Sequence, residues 1–403
     1  MTHGMLPFKY EEEKTQTGMT ALAGLPVYMD LANVIGLSKS IKKHLKIREN
    51  SQGWTDSQIV LSLVLLNLAG GDCVDDLKVL EADEGFCQIL RKSETHGLSR
   101  KVCRALERRW RKERKRSVPS PSAVFRYLSE FYDVEQEDAR NKSEIKAFIP
   151  AANEHLKGFG KINKDMIASL NTVSVETTAT LDMDATLAQT GFKAYQPFNT
   201  WWFEQGIILH TEFRDGNVPA GYEQLRVFQE ALDCLPSNVD KVKLQSDTAA
   251  YQHDLLRYCE KDDKQLKLPF PTMEIDEETN GEDIIHWLHE RCGKSEEVHA
   301  VMKDDLAGGK LPSSDFGTNA AWWWIMIIAL NLNVMMKNLA LASSMKTKRM
   351  KAIRFSFINI PGRIIKRSRT LFLRLSKGHP SYNLLVEARR KIAMLFAARA
   401  PSG

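Results

Sequence analysis

Paired cysteines at the CxxC spacing do not occur in this chain. Its six cysteines, Cys73, Cys87, Cys103, Cys234, Cys259 and Cys292, follow no regular pattern. That excludes a disulfide framework or zinc ribbon and leads us to expect reduced thiols in a cytoplasmic protein. His286, His289 and Cys292 at i, i+3 and i+6 offer three zinc ligands, but no second cluster accompanies them and an ordinary helix face explains them as well. A GxxxxGK[ST] loop is missing, so no nucleotide cofactor is expected. A G-x-S-x-G elbow is missing too, which removes the common route to acyl transfer. The longest apolar run, Ala320 to Leu330, falls short of the roughly 20 residues that cross a bilayer and is followed by Asn331, Asn333 and Lys337. It reads as a buried core helix, with no membrane partner. MTHGMLPFKYEEEK holds no apolar segment of the kind a secretory leader needs. Acid is scarcest at the end: from Lys346 to Gly403 the only acidic side chain is Glu387, against fifteen Lys and Arg.

The formal net charge of +5 over 403 residues therefore conceals a strong asymmetry. The last segment carries about +14 and the rest about −9 by the same count, a layout that suggests a polyanionic partner such as nucleic acid. A second basic stretch, SRKVCRALERRWRKERKRSVPSPS, carries Arg108, Arg109, Arg111 and Lys112 among ten cations opposed only by Glu107 and Glu113. As a helix it is basic on more than one face, and Pro119 with Pro121 ends it. With 43% hydrophobic and 27% charged residues the remainder is an ordinary globular composition.

Up to Asp133 the periodicity is helical. LPVYMDLANVIGL and DSQIVLSLVLLNLAGG repeat apolar residues at three and four, the second with Thr55 or Asp56 as its cap and Gly70-Gly71 as its stop. From Val173 the period changes to two. VSVETTATLDMDAT, YQPFNTWWFEQ and GIILHTEFRDG read as strands, the last two joined at Gln205-Gly206. A helix near Gly221 to Leu235, a strand VDKVKLQSD and a helix TAAYQHDLLRYCE follow. If the first and fourth strands are neighbours, Asp184 and Asp247 stand side by side. Trp201-Trp202 and Trp322 to Trp324 lie in apolar contexts and read as core rather than as base-stacking surfaces.

In TLDMDAT the apolar residues Leu181, Met183 and Ala185 alternate with Asp182 and Asp184, so the two carboxylates share one face of a strand. Like charges placed together are relieved by a divalent cation or a solvated edge. Three carboxylates converging on two divalent ions suit phosphoryl transfer, in which one ion activates the attacking oxygen and the other stabilises the leaving one. Asp184, Asp247 and Glu296 fit those roles, with Lys303 seven residues beyond the glutamate and two helical turns away on the same face.

Several long stretches carry a family resemblance. TLDMDAT, GFKAYQPFNTWWFEQGIILHTEFRDGNVPAGYEQLRVF, LQSDTAAYQHDLL, RCGKSEEVHAVMKDDLAGGKLPSSDFGTNAAWW and PGRIIKRSR resemble the DDE transposases of bacterial insertion sequences, specifically the group numbered thirteen-eighty. GLPVYMDLANVIGL, GGDCVDDLKVLEAD and VPSPSAVFRYL extend the likeness over most of the chain. The resemblance implies an α/β fold with a ribonuclease-H-like core of mixed sheet and flanking helices over 171–345. It further implies a helical DNA-end-binding region at 1–135, a linker at 136–170 and a basic region at 346–403. The implied activity is endonucleolytic cleavage and strand transfer at the terminal inverted repeats. Two Mg²⁺ are implied, for which Mn²⁺ substitutes, with double-stranded DNA ends and target DNA as partners and self-association on DNA.

Carried over by position, the D-x-T step falls on Asp184-Ala185-Thr186, with Asp182 as the alternate, and the second aspartate is Asp247. The third motif, Y-x2-R-x3-E-x6-K, places its glutamate at Glu296, with Glu297 as the alternate, and its lysine at Lys303. Departures are clear. Cys292 stands where the motif has arginine, although Arg291 is adjacent; His289 replaces the tyrosine, and Gln245 stands where relatives often carry arginine. DNA contacts are expected from Lys303, Arg291, Arg108, Arg109, Arg111, Lys112, Arg363, Lys366 and Arg367. Between Asp247 and Glu296 relatives place a further strand and a β-rich insertion; here KLPFPTMEI is the one strand candidate. That implies an internally shortened copy whose glutamate helix lacks part of its support, and so the alternative of a protein that binds DNA ends without cutting. A nuclease that cuts without joining is the other alternative.

Overall fold

The computed structural model describes residues 18–48, 53–95, 98–105, 116–143, 146–190, 193–246, 252–260, 294–368 and 370–399. A helix that is apolar on every side has to be enclosed on every side, and the Phe316–Leu339 helix is. Every residue from Phe316 to Asn333 is buried, and the Asp315 carboxylate caps the first turn through the Thr318 N–H at 2.8 Å. This helix is long and apolar enough to cross a membrane, but it lies inside the protein, between the helices of the N-terminal third and a four-stranded sheet.

The N-terminal helices Leu25–Val34, Leu37–His44 and Asp56–Ala69 form one side of that core. Thr55 caps the third of them, exchanging hydrogen bonds with Gln58, and Gly70 ends it at φ 105°, a conformation that costs glycine little. Glu154–Asn171, with Phe159, Ile162, Met166 and Ile167 buried, packs on Leu37–His44 and on the sheet. The stretch expected as a linker at 136–170 thus ends in a core helix. Its apolar residues recur at three and four through Leu156, Phe159, Ile162, Met166 and Leu170, a signal interrupted by Gly158, Gly160 and three lysines.

Strand β1 (Met19–Thr20) belongs to a second sheet described below. The four-stranded sheet contains β2 (Thr178–Ala185), β5 (Phe198–Trp202), β6 (Ile207–Glu212) and β7 (Lys241–Ser246), in the order β6-β5-β2-β7. Between β2 and β5 lies a small ribbon, β3 (Ala188–Thr190) with β4 (Lys193–Tyr195), which the sequence pattern did not announce. β2 runs antiparallel to β5 and parallel to β7, so the first and fourth strands of the pattern are indeed neighbours. β6 is the edge. Its outward backbone groups at Ile208 are satisfied by amides: the Ile208 N–H donates to Asn331 Oδ1 at 2.9 Å, and the Ile208 carbonyl accepts from Asn331 and Asn163 at 2.8 and 3.0 Å. Such pairing protects an edge that is otherwise a template for aggregation.

The basic C-terminal region does not stand apart. β8 (Gly362–Arg367) and β9 (Thr370–Arg374) form a hairpin that β1 extends to three strands, and the Tyr382–Arg399 helix packs on Leu25–Val34. One continuous hydrophobic core runs from Leu22 to Ile392. Trp202, Trp322 and Trp323 are among its largest fully buried side chains, in line with the core reading of the tryptophans.

Candidate active site

Leu181 and Met183 are fully buried on one face of β2, and Asp182 and Asp184 share the other. That other face is not open along its length. Asp182 is only 5% exposed, whereas the Asp184 side chain keeps 34% of its surface. Of the two, Asp184 is the carboxylate that solvent and a ligand can reach. One Asp184 oxygen accepts the N–H of Ala185 at 2.7 Å. Thr186 is buried, and it receives the Asn199 amide at 2.9 Å; Asn199 in turn accepts from the Thr211 hydroxyl at 2.6 Å, and Thr211 accepts from the Trp323 indole at 3.0 Å. This chain of hydrogen bonds runs from the central helix across β6 and β5 and fixes the bend that follows Asp184.

On the same side stands the Lys294–Ala300 helix. His299 lies with Nδ1 3.9 Å from Asp184 Oδ2, so the helix that carries position 296 sits against the first aspartate's strand. Position 296 precedes His299 by three residues on that helix. Glu297 is exposed and acts on a different group. Burial lowers the ammonium pKa of Lys337 at the end of the central helix, and the Glu297 charge opposes that shift. The side chain of Glu296, and Asp247 and Arg291 entirely, lie outside the described residues, as do Arg108, Arg109, Arg111, Lys112 and the His286, His289, Cys292 set.

Beyond the helix the backbone widens into a π-helical turn, Val301–Asp305, closed by the Leu306 N–H on the Val301 carbonyl at 2.9 Å. Such turns are rare and recur at functional sites. Lys303 projects from it, exposed, into a cavity of about 500 Å³ that Leu187, Gly71, Lys310 and Arg354 also line. The turn is clamped from behind. A Cβ on Gly309 would stand 2.6 Å from the Lys303 carbonyl, and one on Gly308 2.7 Å from that of Met302, so the chain doubles back only with glycine there. Ala307 donates to Asn67 Oδ1 and accepts from the Trp322 indole, each at 2.9 Å. Asp305, with no exposed side-chain surface, pairs with Arg349 at 3.2 Å and Lys351 at 3.4 Å.

A divalent ion needs hard oxygen ligands. Asp184 provides an accessible carboxylate, which suits Mg²⁺ or Mn²⁺ in donor chemistry, whereas the imidazole of His299 beside it is a softer donor that those ions do not favour. Among the described residues three converging ligand atoms occur only at Asp72, Cys73 and Asp76. There Asp76 accepts the backbone N–H groups of its own turn.

Residues 264–397, about a third of the chain, match the family described as "Transposase DDE domain group 1". The matched stretch includes Glu296, Lys303 and the β8–β9 hairpin, and begins after Asp184 and Asp247. This supports a DDE transposase, a class of enzymes that acts on DNA with divalent metal ions. No curated protein and no solved structure matches the chain significantly.

Proposed function

We propose that this protein is the transposase of a bacterial insertion sequence of the group numbered thirteen-eighty. In this reading it cuts DNA at the element's terminal inverted repeats and joins the ends to target DNA, with Mg²⁺ held by Asp184, Asp247 and Glu296. The observation that carries the reading is the approach of His299 to Asp184 at 3.9 Å, which brings the glutamate's helix to the aspartate's strand. The strand order β6-β5-β2-β7, with β7 parallel to β2, supports a ribonuclease-H-like core. Ser246 is in register with Met183, the residue before Asp184, and Asp247 follows Ser246 directly.

The bound ions would supply a more acidic attacking hydroxyl and a stabilised leaving oxygen. The chain's own residues do the positioning. Asp184 presents its carboxylate at the mouth of the site, and the Asn199, Thr211 and Trp323 bonds hold it there. Lys303 and Arg354 line the adjoining cavity and would bear on a phosphate. The basic C-terminal region, through Arg363, Lys366 and Arg367, would hold DNA outside the site, and the enzyme would act on it in the cytoplasm as an assembly of copies.

The test is cleavage of a labelled duplex that bears the element's inverted repeat, with Mg²⁺, Mn²⁺ or EDTA. Metal-dependent cutting at the repeat boundary is expected. Asp184→Ala and Asp247→Ala should each abolish it while leaving DNA binding within about twofold of wild type. Full cutting by either variant overturns the site assignment, and binding without cutting by the wild-type chain indicates a shortened copy that has lost the chemistry.

A further inference from the structure

The outer face of the β1-β8-β9 sheet carries three rows of side chains that folding does not explain. Strand pleating turns Gly362 and Ile364 inward, where both are buried. It turns Arg363, Ile365 and Arg367 outward, facing Arg374, Phe372 and Thr370 across the ladder. Met19 of β1 completes the first row beside Arg363. Phe372 is 47% exposed beside Ile365, so an apolar row lies open between the row of Arg363 and Arg374, which Met19 ends at 53% exposed, and the Arg367 row. Arg363 stands directly across from Arg374, and like charges in that position destabilise a ladder. Among the described residues no carboxylate pairs with Arg363, Arg367 or Arg374.

A partner for this face has to bring several negative charges together with flat apolar surface. Duplex DNA offers a sheet face the first and hides the second, since its bases are paired and stacked. A strand with unpaired bases offers both, and proteins that bind such strands place aromatic rings among cations on an exposed surface. We propose that this face binds single-stranded DNA. Phe372, with Ile365 beside it across the ladder, stacks on a base, and Arg363, Arg374 and Arg367 neutralise adjacent phosphates. The proposal rests on the reading of the protein as a DNA-cutting enzyme, which would generate such a strand beside a cut.

The test is fluorescence anisotropy of the full chain with an oligothymidylate of about 20 nucleotides, the matching duplex and heparin, over a range of salt. Phe372→Ala should weaken single-strand binding roughly 5- to 100-fold, the range for removing one stacking ring, with no change in salt slope. Phe372→Trp should restore it, and duplex binding should change less than about twofold. Arg363→Gln with Arg374→Gln should reduce the slope of log affinity against log salt by about 1.4, or 0.7 for each phosphate left without its arginine. All these side chains are exposed, so the Phe372 variants should keep thermal midpoints near wild type, and the arginine double variant should match or exceed it because a like-charge pair is removed. Wild-type affinity of Phe372→Ala for the single strand overturns the proposal. So does an equal loss on single strand, duplex and heparin, which would make the face a general polyanion surface. If the face fails in this way while the wild-type chain still cuts its inverted repeat, the transposase reading stands. If the wild-type chain neither binds nor cuts DNA, both fall.

Discussion

Removing the carboxylate of Asp305 should loosen the turn that presents Lys303, and the size of the effect can be worked from the neighbours. The Asp305 side chain is fully buried, but its partners Arg349 and Lys351 are 44% and 68% exposed and would recover water if it were gone. Their loss is therefore worth less than that of a sealed ion pair, about 1 kcal/mol together. Arg354 raises the figure. It is largely enclosed, donates to the carbonyls of Asn67 and Leu68 at the end of the Asp56–Ala69 helix, and donates to the Asp305 carbonyl. Burial pulls its guanidinium below the usual arginine range, and Asp305 is the first charge that opposes this. A buried cation deprived of its counter-charge adds about 2 kcal/mol at this depth, below the 3–5 of a fully sealed pair. Asp305→Ala should thus lose about 3 kcal/mol by urea denaturation. If the chain unfolds as one unit at about 2.1 cal/mol/K per residue, that is roughly 4 °C in Tm. In Arg354→Met the same change should cost about 1 kcal/mol, because the orphaned cation is gone. A loss below 0.5 kcal/mol in the wild-type background, or an equal loss in both backgrounds, would refute the reasoning.

Two further outcomes follow from buried polar groups away from the site. Asn331→Leu keeps the branched shape but strands the Ile208 N–H and Asn163 Oδ1 without their partner, and should cost about 3 kcal/mol in a denaturant titration; an unchanged midpoint would mean the edge strand is satisfied otherwise. His210 and Glu230 lie 3.3 Å apart. Burial alone would lower His210, but Cys234 and Glu230 outweigh it and raise it to about 9, while the adjacent His210 imidazole is the main cause that lowers Glu230 to about 2. The histidine's share of stability is then complete below about pH 6.5 and lost as pH rises through 9; the glutamate's is complete above about pH 4.5 and lost as pH falls toward 2. His210→Gln should therefore flatten the decline in stability between pH 6.5 and 9, and an unaltered decline would assign it elsewhere.

The sequence disclosed the parts whose signals are local. Alternation in TLDMDAT, the turn at Gln205-Gly206 and the cap at Thr55 each follow from neighbours a few residues apart, and each is found where expected. Parallel pairing of β2 with β7 could be posed only as a condition, because about sixty residues separate their pairing partners, as between Thr178 and Lys241, and nothing local enforces it. The alternation did not choose between Asp182 and Asp184; only the resemblance, through the D-x-T step, favoured Asp184. Both fit the alternation, and only packing buries one and leaves the other open. His299 was missed for the same reason, although its place three residues after Glu296 was a usable signal. The Glu154–Asn171 helix was missed because its glycines and lysines dilute an apolar stripe that the folded chain buries.

The short stretch between Asp247 and Glu296 raised the expectation of a poorly supported glutamate helix. Support in the described residues comes from the other end. Asn67 and Trp322 grip Ala307, the glycines at 308 and 309 close on the carbonyls of Met302 and Lys303, and Asp305 is tied to Arg349. Asn67 and Trp322 belong to two of the most deeply buried helices, so this clamp is anchored in the core rather than in a loop. The 3.9 Å approach of His299 to Asp184 lies only eight residues upstream of Ala307, within reach of that anchor. Catalysis of this type loses about a hundredfold for a misplacement of 1 Å, so the helix must be held stiffly from at least one side. The clamp lies after the helix, so whatever precedes Lys294, the helix is held against the Asp184 strand from its C-terminal end.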